Sequence, residues 1–248
     1  MAWKPGDMTM LTSERDIHPD PVSTWSTQVA ATERAFDAFI GQATFPCLGA
    51  KAAHAHQRLH YFCAHDIASA RDDRCITGAL QAFAARHGDG VPFVSFVLFF
   101  PCSARLSESA FEAALWQRLR AIHAIDRREH AWDASVSDDP ASAHFSMSVG
   151  GKAFYVVGLH PDASRGARRF QCPALVFNLH GQFEQLRADG RYVKLRQAIV
   201  RRDVAYAGSA NPMLAAHGEN SEARQYSGRV VGADWQCPFR AADSGVHR

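Results

Sequence analysis

Pro92-Phe93-Val94-Ser95-Phe96-Val97-Leu98-Phe99-Phe100 is the most apolar stretch of this 248-residue chain. It falls short of the roughly 20 apolar residues that cross a bilayer, and its β-branched and aromatic content suits a strand. A strand so uniformly apolar is buried on both faces, which places Phe93 to Phe100 at the centre of a sheet covered by helices. Upstream, Leu59, Tyr61 and Cys63 alternate with His60 and Phe62, the mark of a short strand ending near Ala64. Between the two, Ile76, Leu80 and Phe83 share one side of a helix expected from about Cys75 to His87, with Gly88 as its stop. Ahead of them, Trp25, Val29, Phe36, Phe39 and Ile40 follow helical spacing from Ser23 to about Gly41.

Downstream, Ser107 precedes Phe111, Leu115, Leu119 and Ile122, four apolar side chains on one helical face, with Trp116 beside them. Phe145, Met147 and Val149 then alternate with His144, Ser146 and Ser148. After Gly150-Gly151 a second run, Ala153 to Leu159, completes a hairpin whose first strand has one polar face. A further strand is read at Ala174 to Asn178, and helices at Gln182 to Ala188 and Tyr192 to Tyr206, separated by Gly190. The pattern is α+β: a single domain over residues 23–240 with a mixed, partly antiparallel sheet packed against helices. A polar, proline-punctuated arm (1–22) precedes it and a tail (241–248) follows. The last 40 residues, rich in Gly, Ser, Asn and Pro, are expected to be irregular and folded back on the body.

Composition narrows the function classes. With 47% hydrophobic and 21% charged residues the chain is an ordinary globular one, and its net charge of +2 offers no general field to gather nucleic acid or anionic lipid. No export signal opens it and no apolar span interrupts it, so a cytoplasmic location is expected without membrane or nucleic-acid partners. Six scattered cysteines form no C-x-x-C pair and read mostly as buried thiols. No glycine-rich phosphate loop joins a strand to a helix, since Gly88-Asp89-Gly90 precedes a strand and Gly150-Gly151 lies in a hairpin.

The densest cluster of chemically capable residues is Gly158-Leu159-His160-Pro161-Asp162-Ala163-Ser164-Arg165-Gly166-Ala167-Arg168-Arg169-Phe170, where a buried strand gives way to a loop. His160 offers an imidazole nitrogen suited to iron, and Arg165, Arg168 and Arg169 offer forks suited to carboxylates. Haem needs both kinds of group, an axial ligand and donors for two propionates. By composition alone, the commoner reading of such a stretch is a solvated arginine loop around a satisfied histidine.

This block, with Phe45-Pro46-Cys47, Gly49-Ala50-Lys51, Val176-Phe177-Asn178, Gln182-Phe183-Glu184, Arg202-Asp203, Asn211-Pro212-Met213-Leu214 and Ser221 to Arg229, resembles the YqcI/YcgG family, in family order from about Phe45 to Phe239. The resemblance implies a haem b protein and an oxidoreductase. Characterised relatives include haem-dependent monooxygenases, N-hydroxylases that act on arginine or a related guanidine in natural-product biosynthesis. The expected partners are then a guanidino small molecule and an external electron donor or peroxide, and a homodimer is left open. His160 is the expected axial ligand to the metal, with Cys47 its rival and His180 a further candidate; His54, His56 and His60 read as surface or core residues. A planar cationic guest calls for a carboxylate and an aromatic face, for which Glu222 and Glu184 are the candidates. Each has a plainer role open to it, Glu222 as a partner of Arg224 or Arg229 and Glu184 as a first-turn residue complementing a helix dipole. A haem-binding or haem-sensing protein without turnover is the alternative, and a cofactor-free interaction module is a third.

Overall fold

The structure, a computed structural model, describes residues 21–87, 92–213 and 219–241, with side chains from residue 24. The expected arm, apart from its last two residues, the tail beyond 241, the Gly88 stop signal and the Gly88-Asp89-Gly90 turn lie outside the described residues. Helices α1 (Pro21–Gly41) and α2 (Leu48–Ala55) lead into strand β1 (Leu59–Cys63). Helix α3 (Asp73–Arg86) crosses over to β2 (Ser95–Phe99), and α4 (Glu108–Asp126) leads to the hairpin of β3 (Met147–Val149) and β4 (Lys152–Leu159). Strand β5 (Ala174–Leu179) is followed by α5 (Gly181–Ala188), α6 (Tyr192–Ala207) and the short α7 (Ala223–Tyr226). The fold is α+β, with seven helices among the described residues and one mixed sheet.

The sheet runs β1-β2-β5-β4-β3. Only β1 and β2 are parallel, as the helical crossover through α3 requires; the other pairs are antiparallel. Strand β2 is interior and buried at every residue, but the middle position belongs to β5. Uniform apolarity therefore reports burial on both faces and not rank within the sheet. Phe93 stands outside β2, in the left-handed region at φ 56°, a conformation rare for a bulky side chain. The β3–β4 turn is built on Gly150 (φ 61°) and Gly151 (φ 69°), the pair of positive dihedrals a tight two-residue hairpin demands.

Alternation along the strands divides the interior into two cores. Phe96, Leu98, Phe154, Val156, Leu175 and Phe177 face α3 and α4, meeting Leu80, Phe83, Phe111, Leu115 and Leu119. Each large apolar side chain buried there stabilises the fold by roughly 1.5–3 kcal/mol. Val97, Phe99, Leu159 and Ala174 point the other way, onto Phe36 and Ile40 of α1 and Phe170. The serines of the β3 region are polar as expected, yet Ser146 and Ser148 are buried: Ser148 Oγ accepts from Asp133 N at 3.0 Å, and Ser146 Oγ donates to Glu222. Tyr226 and Phe239, both fully buried, return the irregular C-terminal segment to the first core.

Two sequence expectations shift. Among the described residues helix α1 already covers Pro21, two residues ahead of the expected start at Ser23. Helix α2 was not anticipated, because its N-cap is Cys47, whose Sγ accepts from Ala50 N at 3.4 Å, in place of the usual Ser, Thr, Asp or Asn. Only Cys172 and Cys237 of the six thiols are buried, while Cys75 and Cys102 are exposed.

Gly158 faces α4 so closely that a Cβ there would lie 2.8 Å from both Leu115 Cδ1 and Phe111 Cε1. Gly158→Ala is expected to cost about 1–3 kcal/mol by overpacking. A lowered urea midpoint with unchanged slope is the signature to measure, and an unchanged midpoint would contradict the close packing.

Candidate functional site

The second face of the sheet is only partly covered. Tyr155 and Val157 of β4 and Val176 and Asn178 of β5 look onto a cavity of about 340 Å³, within the roughly 300–1,000 Å³ range of small-molecule sites. Its roof is α6, whose residues Tyr192, Leu195, Ile199 and Asp203, at helical spacing, line the space without being buried. Phe36 and Ile40 of α1, Phe45, Cys47 and Phe183 complete a largely apolar wall.

Cys47 lies at one part of this wall, at the N-terminus of α2. Burial pushes its thiol up from the ordinary value, while the N–H groups of Ala50 and Gly49 and the charge of Arg168 pull it back. A Cβ on Gly49 would stand at ordinary packing distances, 3.4 Å from the Phe93 ring and 3.9 Å from Cys47 Sγ.

Glu222 occupies another part. Burial raises its carboxyl from 4.5 to about 7, against hydrogen bonds from Ser146 and Tyr226 and the charge of Arg187. Tyr226 Oη donates at 2.7 Å. Nearby, Tyr155 Oη donates to Gln225 Oε1 at 3.0 Å, and the Tyr155 hydroxyl is pushed well above its usual range, chiefly by burial. The Arg187 guanidinium lies 4.7 Å over the Tyr192 ring, so a planar cation already rests on an aromatic face of this cavity.

Of the residues singled out in the sequence, Cys47, Arg165, Arg168 and Glu222 line the cavity, and so does His180. Arg165 donates to Asp203 at 2.6 Å and to Ser209 O at 2.8 Å. Arg168 directs its guanidinium to the carbonyls of Gly158, Gln225 and Tyr226 at 2.9–3.0 Å.

Three expected residues are not part of the lining. His160 continues the even-numbered register of Phe154 and Val156, and therefore points away from the cavity; its ring stacks on Phe111 at 4.4 Å and 21°. It is 1% exposed and its Nδ1 has no hydrogen-bond partner. Burial lowers its pKa, so it stays neutral. Arg169 donates to the carbonyls of Ala163 and Ser164 and braces its own loop. Glu184, in the first turn of α5, is paired with Arg187, and its Oε1 lies 3.8 Å from His180 Nδ1. Sequence reasoning missed Tyr155, Arg187 and Tyr192. The period-2 register of β4 would have found the first, and the helical face of α6 the last.

The YqcI/YcgG family model matches residues 36–240, which includes every strand and the whole cavity wall described above. The chain belongs to the YqcI/YcgG family. No curated protein and no solved structure matches it. In this YqcI/YcgG protein no helix among the described residues is long and apolar enough to cross a membrane.

Because Glu222 keeps its proton to about pH 7 in the folded chain but loses it from 4.5 upward when unfolded, the unfolded state sheds the proton first. Stability from this group therefore falls as pH rises across that window. Glu222→Gln is expected to flatten the decline, read as urea midpoints measured from acid to neutral pH. An identical slope in both proteins would contradict a buried, proton-retaining carboxyl.

Proposed function

We propose that this YqcI/YcgG protein is a haem-dependent oxygenase that hydroxylates a guanidino nitrogen, with Cys47 as the iron ligand and Glu222 as the group that receives the cationic guest. The observation that carries the reading is that a thiol and a proton-retaining carboxyl line one largely apolar cavity. The residues fit haem in kind: burial raises the Cys47 thiol, but the N–H groups of Ala50 and Gly49 and the charge of Arg168 favour the thiolate form that a bound iron would hold. Arg165 and Arg196 on the same wall are the cations nearest in kind to what propionates need. His160 is set aside as the ligand, because its ring is sandwiched against α4 on the other side of the sheet.

Haem supplies, when bound, the oxidising chemistry that puts one oxygen atom on nitrogen. Dioxygen would need two electrons from an outside donor, whereas peroxide brings its own oxidising equivalents. The chain's part is position and charge. Glu222, ionised by proton loss, forms the fork that accepts two guanidinium N–H groups, and Tyr155 and Phe183 offer aromatic faces beside it. Ser146 and Tyr226 hold the carboxyl in place through their hydroxyls. The apolar wall excludes water from the reacting nitrogen.

Cation binding requires ionised Glu222, so guanidine affinity is expected to strengthen as pH rises through about 7 and to lose that dependence in Glu222→Gln. The reading is tested by incubating haem-loaded protein with arginine and simpler guanidines, adding either a reductant in air or peroxide, and analysing by mass spectrometry. A product heavier by one oxygen is expected. Haem retention without such a product from any guanidine would leave a haem-binding protein and end the enzymatic reading.

A further inference from the structure

Helix α6 lines the cavity with one side only. Val193, Gln197, Val200, Arg201 and Val204 fall together on the opposite side at helical spacing. Val193 and Val204 are 61% and 39% exposed, two of the three large apolar side chains among the described residues that stand so far in solvent. They are three turns apart, about 16 Å along the axis. We propose that this outer face of α6 docks an acidic electron-transfer protein, the outside donor that hydroxylation with dioxygen requires. The partner's identity rests on the proposed function, whereas the docking itself is measurable without haem.

The fold itself gives no reason for these residues. Valine is a mediocre helix former, and exposed it gains nothing from packing. Carboxylates suit the first turn of a helix and cations do not, yet α6 has no acidic residue there, with Arg191 at its N-cap and Lys194 just inside. Residues 190–202 hold five cations and no carboxylate, in a chain whose net charge is only +2. Arg202 is engaged by the carbonyls of Ala43 and Phe45, and Arg196 lines the cavity. Arg191, Lys194 and Arg201 are exposed. Of the nearby carboxylates in sequence, Asp203 is paired with Arg165 and Glu184 with Arg187, which leaves Asp189, exposed. Three exposed cations thus outweigh one exposed anion.

Apolar side chains bordered by cations fit a partner whose apolar centre has an acidic rim. A second copy of the chain would set like charges face to face, which disfavours it. Hydroxylation with dioxygen takes two electrons and two protons: one oxygen atom turns a guanidino N–H into N–OH and the other leaves as water. A one-electron donor must therefore dock twice per turnover. Brief encounters of this kind use small interfaces, below about 1,200 Å², and are steered by charge. A donor on α6 would stand one helix, about 10–12 Å with side chains, from the cavity that the same helix roofs.

Binding of an acidic two-iron ferredoxin and, separately, of an acidic flavodoxin to the full-length haem-free chain is measured by titration calorimetry at low and moderate salt. Association with at least one of them, weakening as salt rises, is expected. Lys194→Glu combined with Arg201→Glu is expected to lower that affinity about tenfold or more, and Val193→Ser combined with Val204→Ser severalfold. Arg120→Glu combined with Arg128→Glu makes the same change in net charge at exposed residues on and just beyond α4, across the sheet, and is expected to leave the affinity as it was. In the haem-loaded chain, the α6 charge reversal is expected to slow reduction by the reduced donor to a similar degree and to leave reduction by dithionite unchanged. No association with either donor, an unchanged affinity in the α6 variants, or an equal loss in the α4 variant would overturn the docking surface. So would preferential adhesion to phosphatidylglycerol vesicles that the α6 reversal abolishes. A chain that binds the donor but takes up no haem would end the proposed function while the docking surface stood.

Discussion

The guanidinium of Arg168 donates to the carbonyls of Gly158, Gln225 and Tyr226, and this one side chain joins the end of β4 to the C-terminal segment. A cation withdrawn from water is costly unless its N–H groups find acceptors, so the three carbonyls and the charge hold one another in place. The backbone closes tightly over it: Gly228 adopts φ 83°, and a Cβ there would lie 3.3 Å from the Arg168 Nη1. With that clamp set, Gln225 meets Tyr155 and Glu222 meets Ser146 and Tyr226. The polar part of the cavity thus follows from a contact that itself belongs to the scaffold.

The cavity exists because the two sheet faces are covered differently. Toward α3 and α4 the strands present phenylalanine, leucine and valine against complementary helical stripes, and the layers interlock. On the other face α1 covers Val97 and Phe99, but α6 stands off with none of its residues buried. Leaving Leu195 and Ile199 to line a space forfeits burial worth roughly 25 cal/mol per Å², a sacrifice that an occupant of the YqcI/YcgG cavity would recover.

Much of the fold was legible because periodicity reports burial directly. The alternation in Leu59 to Cys63, the Gly150-Gly151 hairpin and the Phe111-Leu115-Leu119-Ile122 stripe each depend only on neighbours in sequence. Helix α2 was hidden because a thiol took the cap position and its short run of Ala and Gly carries little pattern. The site was legible in part. Cys47, Arg165, Arg168 and Glu222 line one cavity, whereas His160, the most prominent histidine of its block, faces α4. Its direction followed from the register of β4, in which residue 160 shares parity with the core residues Phe154 and Val156. Arg168 illustrates a different limit: an arginine that clamps backbone and one that awaits a ligand look alike until the carbonyls are in place.

Iron held by the Cys47 sulfur is the central claim, and X-ray absorption at the iron edge of the haem-reconstituted chain addresses it directly. One sulfur in the first coordination shell, lost in Cys47→Ser and kept in His160→Ala, is the predicted result. A shell of nitrogen and oxygen alone in the parent chain, or a sulfur that persists in Cys47→Ser, would contradict it.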